Sequence, residues 1–262
     1  MAAQSIIPKI AHFYWGGRPL PFANALTIRS FRKANPDWMI WLWTAQSPQV
    51  TPHWHTGEQQ PIAGVRDCWD LAIQHADNVV PAEFPDWLAS AHDAVKSDFL
   101  LMKSVYDHGG AYFDMDILFA RPVDLQLDAP LCLMRTHEAW QVAFMAGVPG
   151  IASLGKMMDF AKSEYQSSSY QSIGRFLWDR RAAWLMRETP GAQIVPCSKI
   201  LPFPWDNLPL IFDTITPLPK DSWGVHWFNG SPVARAWVAR ITLDNYRRFD
   251  NTFSQLCRDH DL

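Results

Sequence analysis

Apolar and polar positions along this 262-residue chain fall into short β-prone blocks separated by longer helical ones. "IPKIAHFYW" is apolar, bounded by Pro8 and by Gly16-Gly17, and reads as a first, buried strand. "PFANALTIRSFRKANP" has helical spacing and closes at Asn35-Pro36, and "WMIWLWT" is a second strand. Strand, helix, strand in that order begins an open, mostly parallel sheet, and the expected class is α/β. Residues 47–87 carry many Pro and His residues, then a helical pattern around "VRDCWDLAIQHAD", and read as a partly helical connecting region. Leu88 to Asp107 reads as a helix. At about 100° per residue, one arc holds Leu88, Ala91, Ala94, Val95, Phe99, Leu101, Met102, Val105 and Tyr106, with Asp98 as its only charged member. Asp93, Lys96, Ser97, Lys103 and Ser104 fall on the opposite, outward face. Gly109-Gly110 suits the helix end, and "AYFDMDILF" continues as a strand. Further strands are expected at "PLCLMR", "WQVAFMA", "GAQIVP" and "SWGVHWF". Helices are expected at "SLGKMMDFAKSEY" and "GRFLWDRRAAWLMRE", with a closing helix at "PVARAWVARITLDNYRRF". One domain, 1–262, accommodates all of this.

Two carboxylates break the apolar run. Asp114 and Asp116 flank Met115, and strand alternation puts both on one side. Like charges so close raise each other's pKa, and a divalent cation resolves the conflict. Hard cations such as Mg2+ and Mn2+ take oxygen ligands and complete their shell with water and phosphate oxygens. A D-x-D at the carboxyl end of a strand therefore suits a metal held against a diphosphate, where open α/β sheets bind ligands. Asp98 points the same way, because a carboxylate aimed into a core costs several kcal/mol unless satisfied. It reads as lining a polar cavity and accepting hydrogen bonds from a ligand. A phosphatase of the haloacid-dehalogenase type also uses D-x-D after an apolar strand. That motif opens its domain, however, and the Thr expected two residues after the second acid is Leu118 here.

Composition narrows the field. A formal charge of −3 argues against an electrostatic nucleic-acid binder. No window approaches 18 apolar residues and the N-terminus lacks a signal-peptide pattern, so the expectation is a cytoplasmic protein. Cys68, Cys132, Cys197 and Cys257 are scattered and read as reduced thiols. His53, His55 and Glu58 can be drawn as a metal cluster, but three such side chains in a polar loop are more often solvated. Fourteen tryptophans are mostly core residues, since Trp buries a large area wherever it sits.

"AVKSDFLLMKSVYDHGGAYFDMDI" resembles the sugar-binding D-x-D segment of the retaining glycosyltransferases that include yeast-type α-mannosyltransferases and the clostridial glucosylating toxins. Ser97-Asp98, Gly109-Gly110, Tyr112 and Asp114-Met115-Asp116 match in order and spacing. "IPKIAHFYWGG", "MAGVPG", "LPFPW" and "GVHWFNGS" resemble further segments of the family. The resemblance implies a GT-A type, Rossmann-like domain that binds a nucleotide-sugar donor, UDP-linked, with Mn2+ or Mg2+. It implies that Asp114 contacts ribose and sugar hydroxyls and Asp116 the metal. Asp98 and Gly110 belong to the donor side, and Trp15 lies near the uracil ring. His226, or Asn229 with Ser231, completes the shell of metal and diphosphate, and His226 rests wholly on the resemblance. The family's Arg, expected three residues after Asp98, is Leu101 here, and Lys96 and Lys103 point elsewhere on the wheel.

The implied reaction moves a sugar to an acceptor hydroxyl with retention. Asp206 and Asp213 are candidate contributing carboxylates, with no nucleophile named. A glycan or lipid-linked glycan acceptor, in bacterial surface polysaccharide or lipopolysaccharide synthesis, would place the enzyme peripherally at the inner membrane face. The alternatives are a toxin-like protein glycosyltransferase and a binding protein for nucleotide-sugars or carbohydrate without turnover.

Overall fold

The computed structural model describes residues 6–17, 19–45, 62 and 64–262. His53, His55 and Glu58, read as solvated side chains, lie outside the described residues. The chain opens with β1 (Ile10–Trp15), α1 (Phe22–Ala34) and β2 (Met39–Thr44), as the apolar blocks require. α2 (Trp69–Ile73) is one short turn of helix. After it comes β3 (Asn78–Pro81), a mostly exposed edge strand inside the region expected to be a connection. α3 (Asp93–His108) leads into β4 (Gly110–Phe113) and β5 (Ile117–Phe119). Then come β6 (Leu131–Arg135), β7 (Trp140–Gly147), α4 (Ala152–Glu164), α5 (Arg175–Arg187) and β8 (Gln193–Pro196). α6 (Pro209–Phe212), β9 (Gly224–His226), α7 (Pro232–Val238) and α8 (Thr252–Asp259) close the chain.

Seven strands form one sheet in the order β3-β2-β1-β4-β7-β6-β8. Only β7 runs against its neighbours; the β1–β2, β2–β3, β1–β4 and β6–β8 pairs are parallel. This is the mixed, mostly parallel open sheet expected. Helices cover both faces. Phe13 on β1 packs against Phe31 of α1, whereas its neighbours His12 and Tyr14 meet His108 and Asp93 of α3. Trp178, Trp223 and Trp227 are among the largest fully buried side chains, in keeping with tryptophan as core material. All four cysteines are free thiols. No helix of the described residues is long and apolar enough to cross a membrane.

Three expectations are corrected. The helix before the glycine pair starts at Asp93, after a short 3-10 turn at Asp86–Leu88, so Leu88 and Ala91 precede it. Lys96 and Ser104 are buried instead of outward, because α3 is wedged between the sheet and α4, leaving no full solvent face. The expected closing helix is only the seven residues of α7; the last helix is α8, capped by Asn251, whose side chain accepts from the Ser254 N–H. Its signal was present in the sequence as an Asn before a polar-apolar helical run.

A fourth correction bears on function. "AYFDMDILF" is not one strand. β4 ends at Phe113, and the chain leaves the large sheet and resumes as β5, which pairs antiparallel with β9 in a second, two-stranded sheet. Asp114, Met115 and Asp116 are the link between the two sheets. The link also joins two apolar clusters: Phe113, Met115, Ile117 and Phe119 belong to the main core, and Leu118 and Ala120 to a second one under β9, α6, α7 and α8.

Candidate active site

A strand that leaves its sheet strands its own backbone polar groups, and buried ones must find partners elsewhere. Here α1 supplies them. The Met115 carbonyl accepts from both Asn24 Nδ2 and Thr27 Oγ1, each at 2.9 Å. One turn on, Ser30 Oγ accepts from the Phe119 N–H at 3.0 Å, and Asn35 Oδ1 accepts from the Val123 N–H at 2.8 Å. All four side chains are buried. The sequence signal was available: Asn24, Thr27 and Ser30 recur every third residue among the apolar positions of the helix. The Asp114 N–H donates to the Ala143 carbonyl on β7 at 3.1 Å, which fixes the other end of the link.

The approach to the link requires both glycines. Gly109 ends α3 at φ 66°, in the left-handed region that glycine enters without strain. Gly110 follows at φ 95°, and a Cβ there would stand 2.3 Å from the Ile10 carbonyl oxygen. The structure thus places Gly110 against β1 at the start of β4, away from the aspartates at its far end, and its work is close packing of the two strands. His12 Nε2 donates to the Gly109 carbonyl at 2.8 Å while Nδ1 accepts from Trp43 Nε1 at 3.1 Å. Burial depresses the His12 pKa to about 4, helped by neighbouring His108 and opposed by the bond to Gly109, so this ring is neutral.

The register of the small sheet brings the third group in. Ile117 pairs with His226, so the residue after Asp116 sits opposite the last residue of β9. His226 Nε2 lies 3.0 Å from Asp116 Oδ1 and 3.6 Å from Asp114 Oδ2. The chain then wraps Asp116: the Trp227 N–H donates to its backbone carbonyl at 3.0 Å and the Asn229 N–H to Oδ2 at 2.6 Å. Phe228, between them, holds φ 53°, an uncommon conformation for a bulky residue. One ligand atom from each of Asp114, Asp116 and His226 lies within 4.8 Å of the others. Asn229 Oδ1, on the same loop, is buried with no hydrogen-bond partner. Two carboxylates, an imidazole nitrogen and an idle amide oxygen make a donor set that fits a divalent cation of the Mg2+ or Mn2+ kind.

Electrostatics agree with that reading. Burial raises the Asp114 carboxyl pKa, and nearby Asp116 adds to it against the pull of His226. Burial also acts to raise Asp116, but His226 and the Asn229 N–H outweigh it and hold the pKa down. His226 is opposed by its own burial, yet the two carboxylates lift it to about 10. Without metal, a proton on His226 therefore neutralises part of the charge a cation would otherwise meet.

Asp98 stands apart from this cluster. It is half-buried on α3, and a Cβ on Gly174 would come within 2.5 Å of its Oδ2. Gly174 caps α5, where the positive end of the helix dipole favours a carboxylate. This accounts for an acid in that position without the arginine: Leu101 is 1% exposed and belongs to the main core. Asp98 shares a neighbour with the cluster, since both Asp114 and Asp98 help keep the buried Tyr112 hydroxyl protonated, after burial itself. Tyr112 in turn bonds Ser97 Oγ at 2.6 Å. Trp15, half-buried, ends β1 at the sheet's carboxyl edge, one strand from β4. Ser231, buried, opens α7 two residues beyond Asn229. Asp206 and Asp213 are exposed and are not part of the cluster of Asp114, Asp116 and His226. Asp206 sits in a 3-10 turn before α6 and Asp213 caps that helix.

Residues 21–131 match the family described as the glycosyltransferase sugar-binding region containing the DXD motif. The matched span runs from the start of α1 to the first residue of β6 and so includes Asn24, Thr27, Asp98, Asp114 and Asp116, while His226 lies beyond it. Among solved structures, the PaToxG glycosyltransferase is similar at 18% identity and a TM-score of 0.52, covering 70% of each chain. The glycosyltransferase domain of the YGT toxin is similar in its ligand-free form at 12% identity and a TM-score of 0.40, covering 62% of this chain and 63% of that one. Its UDP-bound form gives 11% and 0.40, covering 62% of each. The likeness to the first is one of fold, and it agrees with the GT-A type architecture. No curated protein matches the chain. The chain thus places its D-x-D where it changes sheets, with a histidine from the second sheet closing the site.

Proposed function

We propose that this protein is a glycosyltransferase that moves a sugar from a UDP-linked donor to an acceptor hydroxyl, with retention of anomeric configuration. The observation that carries the reading is the convergence of Asp114, Asp116 and His226 on one point within 4.8 Å. A divalent cation bound there supplies charge neutralisation for the departing diphosphate. Asp116, His226 and Asn229 would hold it, and the imidazole nitrogen favours Mn2+ over Mg2+. Asp114 also faces the ribose and sugar hydroxyls, and Asp98 accepts hydrogen bonds from the donor sugar. Trp15, at the nucleotide-binding edge of the sheet, stacks on the base, and Ser231 lines the diphosphate side. Burial of the cluster keeps water from the donor.

The acceptor in this reading is a glycan or lipid-linked glycan of a bacterial surface polysaccharide, met at the cytoplasmic face of the inner membrane. Likeness of fold to a toxin domain does not select a protein acceptor over it. The test is hydrolysis of UDP-sugars with and without Mn2+, for the native protein and Asp116→Ala. Metal-dependent turnover lost in the variant supports the reading. No metal-dependent turnover in the native protein, with equal donor binding by the variant, overturns it.

A further inference from the structure

Trp205 is a large aromatic residue that is 52% exposed, whereas the other tryptophans among the described residues are buried or half-buried. It opens a short 3-10 turn, Trp205–Asn207, set by Pro204 before it. Its ring meets Phe228 edge-to-face, with centroids 5.3 Å apart. Phe228 in turn meets the His226 ring edge-to-face at 4.4 Å. Aromatic contacts therefore run unbroken from the metal-binding histidine to the surface. Phe228 holds that place at φ 53°, a conformation that costs a bulky residue on the order of 1–3 kcal/mol and persists only where the surroundings impose it. They do so here: the Trp227 and Asn229 N–H groups on either side are both bonded to Asp116. The segment leading to Trp205 is fixed to the same site, because the His226 N–H donates to the Ile200 carbonyl at 2.7 Å.

The two sides of the cluster differ. Asp98 and Tyr112 approach from α3 and β4, whereas Trp205 and Phe228 approach from the β9 side. A donor sugar reaching toward Asp98 leaves the β9 side open. An edge-to-face contact with a single ring covers at most one face of Trp205, and aromatic faces are suited to pack on the C–H faces of sugar rings. A cavity of about 420 Å³ is lined by Arg135, Thr136, His137, Pro196, Cys197 and Ser198. Its rim residues Cys197 and Ser198 precede Ile200 and Trp205 on the same segment. It too lies at the carboxyl ends of β6 and β8, the edge of the sheet that carries the aspartates.

We infer that Trp205, braced by Phe228, is the stacking platform for the pyranose ring of the acceptor. The inference rests on the donor-side reading of Asp98 given above, and it names the acceptor as a saccharide at the ring in contact with the enzyme. It is tested by fluorine NMR on protein labelled with fluorotryptophan, in the presence of Mn2+ and UDP. Trp205→Phe identifies the Trp205 resonance. The probes are methyl α-glucopyranoside, methyl α-mannopyranoside, methyl β-galactopyranoside and maltose, with glycerol as control. The expected result is a saturable shift of the Trp205 resonance with at least one saccharide and none with glycerol. A Trp205 resonance that no saccharide moves, or that glycerol moves equally, overturns the inference. Metal-dependent hydrolysis of UDP-sugars by the same native sample reports separately on the reaction. Hydrolysis without a saccharide shift removes the platform alone, and a saccharide shift without hydrolysis removes the proposed reaction alone.

Discussion

His226 Nε2 stands 3.0 Å from Asp116 Oδ1, although Asp116 lies in the link just before β5 and His226 ends β9, the two strands of a small sheet that the chain enters only after leaving the large one. The D-x-D is thus completed from outside the span that matches the sugar-binding region. Removing the imidazole leaves the two carboxylates to repel each other with one fewer ligand. His226→Ala is expected to lower Mn2+ affinity at least about 10–100-fold, the range for losing supporting groups at metal sites. Titration calorimetry with Mn2+ checks this. Affinity unchanged from the native protein would show that His226 is not a ligand.

The Met115 carbonyl between the acids is held by Asn24 and Thr27, so these two position the site without touching it. Thr27→Val removes one donor and leaves the shape, at a cost of roughly 1–3 kcal/mol for the weakened buried carbonyl. The expected signature is a fall in turnover of the UDP-sugar, with a raised Mn2+ requirement that excess metal partly restores. Thr27→Ser, which keeps the donor, should recover most of the loss. Steady-state kinetics across a Mn2+ series reads both effects.

His226 also sets a pH dependence. Its pKa is raised to about 10 by the aspartates against the effect of burial, above an unfolded value of about 6.5. The protonated form therefore stabilises the metal-free fold fully below pH of about 6.5, and this contribution fades as pH rises through about 10. A cation takes over the proton's role, so bound Mn2+ should offset the alkaline loss. Thermal unfolding between neutral and alkaline pH, with and without Mn2+ and compared with His226→Gln, measures the difference.

His12 acts with the opposite sign. Its folded pKa of about 4 lies below the unfolded value of about 6.5, so the unfolded chain takes up a proton that the fold refuses. Stability should be complete above pH of about 6.5 and decline toward about 4, by on the order of 3 kcal/mol for this group. His12→Gln keeps an acceptor for Trp43 and a donor for Gly109 and should flatten that acid limb. Denaturant titrations at several pH values decide it.

Much of this was legible in the chain. β1, α1 and β2 stood out because apolar runs were punctuated by Pro and Gly, and the acids stood out because two like charges sat in an apolar stretch. The break at Asp114–Asp116 did not show, since apolar residues continue across it with no Gly or Pro to mark a turn. Which sheet β5 joins depends on β9, more than a hundred residues downstream by the numbering, and local periodicity carries no such information. Lys96 misled for a related reason: a helical wheel assumes one wet face, and α3 is packed on both. The polar stripe Asn24, Thr27, Ser30 was visible but reads as solvent-facing until a second chain segment is laid on it. Trp205 and Phe228 emerged only from geometry, through exposure in one and a left-handed backbone in the other.

The central claim is that Asp114, Asp116 and His226 hold a divalent cation against a nucleoside diphosphate. Calorimetric titration of UDP into the native protein, with Mn2+ and then with EDTA in its place, tests it most directly. The account predicts clear saturable binding with Mn2+ and a loss of at least about tenfold in affinity, or about 1.4 kcal/mol, with EDTA. Equal UDP affinity in the two conditions, or no binding in either, would contradict it.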